Sequence, residues 1–214
     1  MILYSYFRSS AAYRVRIVLN LKQIPYQIKT INLLEQKHKT QEYLILNPQG
    51  LVPTLLLEDG QILSQSPAII EFLETKYPHP ALLSNDLLEK TYQQSIINII
   101  ACDIHPINNS RVLKYLKHNF NCNESQINSW YANWIQEGFQ AIEGYLQKFA
   151  KEEFKYAWGN QPSIVDAFLV PQVYNALRFN VSIENYPIIM KIYKNCNILE
   201  AFIKAAPENQ PDKI

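Results

Sequence analysis

Strand signals alternate with helix signals through the first eighty residues and then stop; beyond about Asp86 every long segment carries helical spacing. A chain built this way cannot bury both halves in one kind of layer. It is expected to split into an α/β domain, residues 1–80, and an all-α helical bundle, residues 86–214. The stretch Tyr77-Pro78-His79-Pro80 reads as the linker.

Within the first part the order is β-α-β-α-β-β-α. Ile2–Tyr6 is a short strand, and Ser9 or Ser10 opens a helix that runs to about Lys22. Tyr26–Leu33 is a second strand, and a weak helix spans Thr40–Leu46 before the turn Asn47-Pro48-Gln49-Gly50. Pro53–Glu58 and Gln61–Ser64 flank the hairpin turn Asp59-Gly60. Ser66 as N-cap and Pro67 as first helical residue then start a helix to Tyr77. In the second part, helices are expected over Leu87–His118, Glu124–Ala150, Ser163–Phe179 and Pro187–Ala205. Ser163-Ile164-Val165-Asp166 is a capping box, assigned to folding rather than to chemistry.

Charge narrows the partners. Twenty basic and nineteen acidic residues leave +1, which gives no long-range reason to expect nucleic acid or an anionic membrane. No stretch of eighteen apolar residues occurs and no signal peptide is visible, so a cytoplasmic protein is expected. Three cysteines without CxxC spacing fit a reduced chain with no metal site, and Asp103, His105 and His118 share no ligand spacing. Arginine is scarcer than lysine, five against fifteen, yet Arg8, Arg14 and Arg16 fall within nine residues. Either the planar guanidinium fork is kept here to grip carboxylates, or five residues cluster by chance.

Three features in the first part can hold a small anionic peptide. Ser9 and Ser10 stand where a strand becomes a helix, so free N–H groups and the helix dipole favour an anion, and a hydroxyl can donate to a thiolate. Plain N-capping explains one serine equally well. Val52-Pro53 opens a strand with an X-Pro bond that is often cis in this setting, offering backbone groups to an extended peptide. Gln65-Ser66-Pro67 is another helix start suited to a carboxylate.

The run from Tyr4 through Ser9-Ser10-Ala11-Ala12-Tyr13-Arg14 to Ile17 resembles the signature of the zeta-class glutathione transferases, the maleylacetoacetate isomerases. The likeness continues through Leu46–Leu55, Gln65–Leu73, Leu169–Phe179 and Leu199–Phe202, nearly the whole chain in the family's order. It implies a thioredoxin-like domain followed by an all-helical one, a homodimer, glutathione as cofactor and a small acidic substrate. It further implies that Ser9 hydrogen-bonds the glutathione thiolate with Ser10 beside it, and that Ala11 and Arg14 share that glutathione-binding turn. Val52, with Pro53, pairs its backbone with the cysteinyl part, while Gln65 and Ser66 hold the γ-glutamyl carboxylate. His105, Asn109 and Arg111 match a ligand-contacting segment of the helical domain, and Arg8 and Arg178 match arginines that face the acidic substrate. The family motif usually has cysteine where this chain has Ala11, and His38 and His105 stand where glutamine is expected; a histidine still donates to a carboxylate.

The expected reaction is cis–trans isomerisation of a cis-enediketo acid, as in tyrosine and phenylalanine catabolism. Two alternatives stand beside it: conjugation or dehalogenation of small α-halo acids, which the missing cysteine favours, and a non-catalytic glutathione-binding module.

Overall fold

The computed structural model describes residues 1–149 and 154–213. They form two compact units: Met1–Leu82 together with Asn197–Ile214, and Leu83–Cys196.

The first unit is built on a four-stranded sheet. Its strands are β1 (Ile2–Ser5), β2 (Gln27–Thr30), β3 (Thr54–Leu56) and β4 (Ile62–Ser64), in the order β2-β1-β3-β4. β1 runs parallel to β2 and antiparallel to β3, which pairs with β4 as a hairpin. The crossover from β1 to β2 is α1 (Ser10–Leu21), followed by α2 (Gln41–Leu46) and, after the hairpin, by α3 (Ser66–Lys76). Parallel neighbours need such a crossover, whereas the last pair needs only the Asp59-Gly60 turn. α1 buries Ala12, Tyr13, Val15, Ile17, Val18 and Leu19, and α3 buries Ile69, Ile70 and Leu73. This is the expected α/β arrangement of a thioredoxin-like domain.

Lys22, at the C-cap of α1, has a fully buried ammonium. It donates to the carbonyls of Tyr77 at 2.6 Å and Pro80 at 2.8 Å and pairs with Glu74 at 2.7 Å. Glu74 in turn accepts from the Leu82 N–H. The linker Tyr77-Pro78-His79-Pro80 is thereby tied down rather than loose.

The second unit is helical. It holds α4 (Leu87–Asn98), a π-helical segment over Ile99–Ile104, α5 (His105–Ile107), α6 (Ser110–Asn119), α7 (Glu124–Phe149), α8 (Ile164–Arg178) and most of α9 (Pro187–Asn197). The single helix expected over Leu87–His118 is therefore broken. Pro106 has no N–H to continue an α-helix, and the register widens to a π turn just before it. α7 reaches Phe149, and Ala150 lies outside the described residues. α8 is buried on nearly every side and is closed at its start by Ser163 and Asp166. The fully buried Asp166 carboxyl accepts from Ser163 N–H at 2.7 Å, Ser163 Oγ at 2.6 Å and Ala157 N–H at 2.8 Å. The capping box serves the fold, as read from the sequence.

The C-terminal end differs from the sequence expectation. The helix expected over Pro187–Ala205 breaks at Ile198-Leu199, and α10 (Glu200–Ala205) packs on α1 within the first unit. Residues 197–213 thus belong with the first unit and not with the helical domain expected over residues 86–214. The bonds that recruit them are long-range: Asn20 Nδ2 donates to the Ala201 carbonyl and Arg16 Nε to the Ala205 carbonyl, both at 2.9 Å.

Candidate active site

Ser9 is the N-cap of α1, in extended backbone, and its Oγ accepts the Ala12 N–H at 3.2 Å. The capping role and the chemical role are compatible. Capping uses a lone pair, so the hydroxyl proton remains available to donate outward. Ser9 is half-buried, whereas Ser10 is only 5% exposed. Of the two serines, Ser9 is the more exposed. Ala11 stands on the same first turn and Arg8 is exposed beside it, its guanidinium 4.8 Å from the Phe7 ring centre.

The second wall is the loop before β3. Val52-Pro53 is cis, and among the described residues neither the N–H nor the C=O of Val52 enters a hydrogen bond. Three side chains fix this loop. Asn47 Nδ2 and the Tyr43 hydroxyl both donate to the Leu51 carbonyl at 2.8 Å, and both lie within hydrogen-bond reach of Thr54 Oγ1. Tyr43 and Asn47 were not singled out in the sequence; the only local signal was the turn Asn47-Pro48-Gln49-Gly50. Gly50, at φ +60°, lets the segment of His38 close on this turn, since a Cβ there would lie 2.8 Å from the His38 carbonyl oxygen. His38, half-buried, therefore sits beside the Val52 loop.

The third wall is the start of α3. Gln65, not Ser66, is the N-cap: its φ of +68° turns the chain one residue earlier than expected, so Ser66 becomes the first helical residue. A non-glycine residue in that region is strained, and such strain concentrates at functional sites. The Gln65 side chain donates to Gln49 Oε1, joining the second and third walls. Arg14 was expected on the ligand itself. It is buried to 1% exposure, and its Nη1 donates to Ser66 Oγ at 3.3 Å. It thus bears on the start of α3 through Ser66, itself 3% exposed. Arg16 departs further from the carboxylate-gripping reading of the arginine cluster. It is fully buried and ends on carbonyl and hydroxyl oxygens, and burial holds its pKa down, at about 10.

His105, Asn109, Arg111 and Arg178 belong to the second unit. His105 opens α5 directly after the π segment. α5 and its C-cap are held to α7 from both sides: Trp130 Nε1 donates to the Ile107 carbonyl at 3.1 Å, and Asn108 Nδ2 donates to the Tyr131 carbonyl at 3.2 Å. Gly138 admits Ile104, where a Cβ would come within 2.3 Å of Ile104 Cδ1. Asn109 caps α6 by accepting the Arg111 N–H, and Arg111 is exposed. Arg178, exposed at the end of α8, stands 4.7 Å from the Phe179 ring centre. Phe179 stacks at 3.8 Å on Tyr131, whose hydroxyl burial pushes up to about 12 and so keeps neutral. Tyr131 carried no signal in the sequence beyond helical spacing. Among the described residues no group of His, Cys, Asp and Glu could hold a metal ion, and no helix is long and apolar enough to cross a membrane.

The profile of the glutathione S-transferase N-terminal domain matches residues 8–76. The chain is 45% identical over 213 residues to a maleylpyruvate isomerase of a Ralstonia species, covering 99% of both chains. It is 46% identical over 217 residues to a probable maleylacetoacetate isomerase of Vibrio cholerae, covering 99% and 98%. Among solved structures, a holo maleylpyruvate isomerase described as a zeta-class bacterial glutathione S-transferase superposes with a TM-score of 0.96 at 43% identity, over the whole of both chains. The chain belongs to the zeta class of the glutathione transferases, the family of the maleylacetoacetate and maleylpyruvate isomerases. These relatives are enzymes matched along their full length, so the reading of a non-catalytic module is set aside.

Proposed function

We propose that this chain is a glutathione-dependent cis–trans isomerase of maleylacetoacetate-type acids, cytoplasmic and homodimeric, serving tyrosine and phenylalanine breakdown. The observation that carries the reading is the state of Ser9: it caps α1 through a lone pair, is half-buried, and keeps its proton for a thiolate, while Ser10 is buried. The residues fit glutathione: a donor for the thiolate, an unengaged backbone pair at Val52 and a helix start at Ser66.

Bound glutathione supplies a thiolate that adds reversibly to the substrate double bond and so frees it to rotate. The chain's task is to hold that thiol ionised near neutral pH. A free thiol titrates near ~8.5, and lowering that by about two units takes roughly 2.7 kcal/mol of preference for the anion. Ser9's hydroxyl and the α1 N-terminus provide it. Val52 pairs its backbone with the peptide, and Gln65 and Ser66 bind the γ-glutamyl carboxylate. His38, His105, Asn109 and Arg111 are assigned to further glutathione contacts. Arg8 and Arg178 are assigned to the substrate carboxylates and to the negative charge that develops on its carbonyl oxygen.

Ala11 favours a second reading, since the chain lacks the cysteine of the family motif: transfer of glutathione to small α-halo acids. Turnover of maleylacetoacetate, maleylpyruvate and an α-chloro acid, each with and without glutathione, tests both. The proposal expects the enediketo acids to be turned over far faster than the chloro acid. Preference for the chloro acid overturns it.

A further inference from the structure

The loop between β1 and α1 carries Arg8 and Ser9, and its peptide groups are gripped from two sides. On the carbonyl side, the buried Arg16 donates from Nη2 to the Phe7 carbonyl at 3.1 Å and from Nη1 to the Tyr6 carbonyl at 3.5 Å and Ser5 Oγ at 2.9 Å. On the amide side, Asp212 Oδ2 accepts the Phe7 N–H at 3.0 Å, across 205 positions of sequence. The same segment, 197–213, also supplies the Ala205 carbonyl that Arg16 Nε holds at 2.9 Å. The two grips are electrostatically joined, because the Asp212 carboxylate is among the negative charges acting on Arg16. Phe7 is itself buried, so the peptide between these grips has little room to shift.

We infer that Asp212 is a positioning residue for the thiolate: by fixing the Phe7 peptide, it sets the direction in which Ser9, two residues on, presents its hydroxyl. A charged acceptor makes the stronger kind of hydrogen bond to a backbone N–H, and donors at a reaction centre act only when held in place before the charge forms. The inference rests on the reading of Ser9 as the thiolate's donor.

The test measures the thiol pKa of bound glutathione, from thiolate absorbance across pH, with kcat and KM, in the wild type, Ser9→Ala, Asp212→Ala and Asp212→Asn. Asp212→Ala is expected to raise the bound thiol pKa by about half a unit or more, in the same direction as Ser9→Ala. It is expected to lower kcat/KM threefold to tenfold near pH 7, a loss that disappears at alkaline pH where the thiol ionises unaided. Asp212→Asn keeps an acceptor oxygen but not the charge, and is expected to fall between Asp212→Ala and the wild type. A lowered kcat/KM with the bound thiol pKa unmoved would mark a merely structural role for Asp212 and overturn the inference. If Ser9→Ala raises the pKa and Asp212→Ala does not, the inference fails. If Ser9→Ala leaves it unmoved, the reading of Ser9 fails, and the inference with it. Should Asp212→Ala not fold, Asp212→Glu, which keeps the charge but displaces the oxygen by a methylene, is judged by the same pKa criterion.

Discussion

The guanidinium of Arg14, on the first helix, donates to the hydroxyl of Ser66, the first residue of the third helix, across 3.3 Å. The second turn of one helix is thereby linked to the start of another, 52 positions away in sequence, where the γ-glutamyl carboxylate is proposed to bind. The bond uses Ser66 Oγ as an acceptor and leaves its proton to donate. Replacing Arg14 by lysine keeps the charge but not the planar fork. Arg14→Lys is expected to weaken glutathione binding about tenfold, or roughly 1.4 kcal/mol, with the bound thiol pKa unchanged. Calorimetry with glutathione checks it, and unaltered affinity would mean that Ser66 needs no such support.

Gly50→Ala is expected to weaken both stability and ligand binding. A side chain there is strained at φ +60° and meets the His38 carbonyl oxygen at 2.8 Å. The cost is on the order of 2 kcal/mol, and glutathione affinity falls because His38 and the Val52 loop are pushed apart. Urea unfolding and calorimetry on the same variant read the two effects.

Lys22→Met removes a buried cation from the carbonyls of Tyr77 and Pro80 and leaves Glu74 without its ion pair. Breaking a buried pair from one side costs about 3–5 kcal/mol. The urea midpoint should fall accordingly. A change below about 1 kcal/mol would show that water replaces the ammonium easily.

Asp166 sets burial against hydrogen bonding. Burial pushes its carboxyl pKa up, while donors from Ser163, Ala157 and Cys196 pull it down, and burial prevails. A folded-state pKa above the unfolded one means that the folded protein holds the proton more tightly. The associated stability is complete below the unfolded pKa and is lost as pH rises through the folded one. The stability margin of the wild type over Asp166→Asn, which cannot titrate, should therefore shrink as pH climbs from the ordinary carboxylate range to neutral. Urea unfolding along that series checks it; a margin that widens means that the donors outweigh burial. Asp166→Ala, which strands two backbone N–H groups, should cost about 3 kcal/mol in the ordinary carboxylate range and less as pH climbs to neutral, the same direction as for Asp166→Asn.

Local patterns carried much of this. The strand-helix order, the cis Val52-Pro53 bond and the Ser163–Asp166 cap each depend on residues within a few positions, and each was legible. What was not legible depends on partners far along the chain. Arg16 looked like its neighbours Arg8 and Arg14, yet its carbonyl partner Ala205 is 189 positions away. The same bonds tie residues 197–213 to the first unit, which no periodicity could announce. Ser66 satisfied every local rule for an N-cap, but the positive φ of Gln65 moved the cap back by one residue. Tyr131 is a helix-face aromatic by spacing, and the stacked Phe179 brings it together with Arg178.

Ser9, rather than Ser10, is proposed to hold a thiolate for an isomerisation that returns glutathione unchanged. The most direct measurement follows maleylacetoacetate conversion and total free glutathione together, in the wild type, Ser9→Ala and Ser10→Ala at pH 7. Glutathione-dependent formation of the trans acid is expected, with no net loss of glutathione. Ser9→Ala should lower kcat/KM by about a hundredfold or more, and Ser10→Ala by much less. Stoichiometric consumption of glutathione, or full turnover by Ser9→Ala with loss in Ser10→Ala, would contradict this proposal.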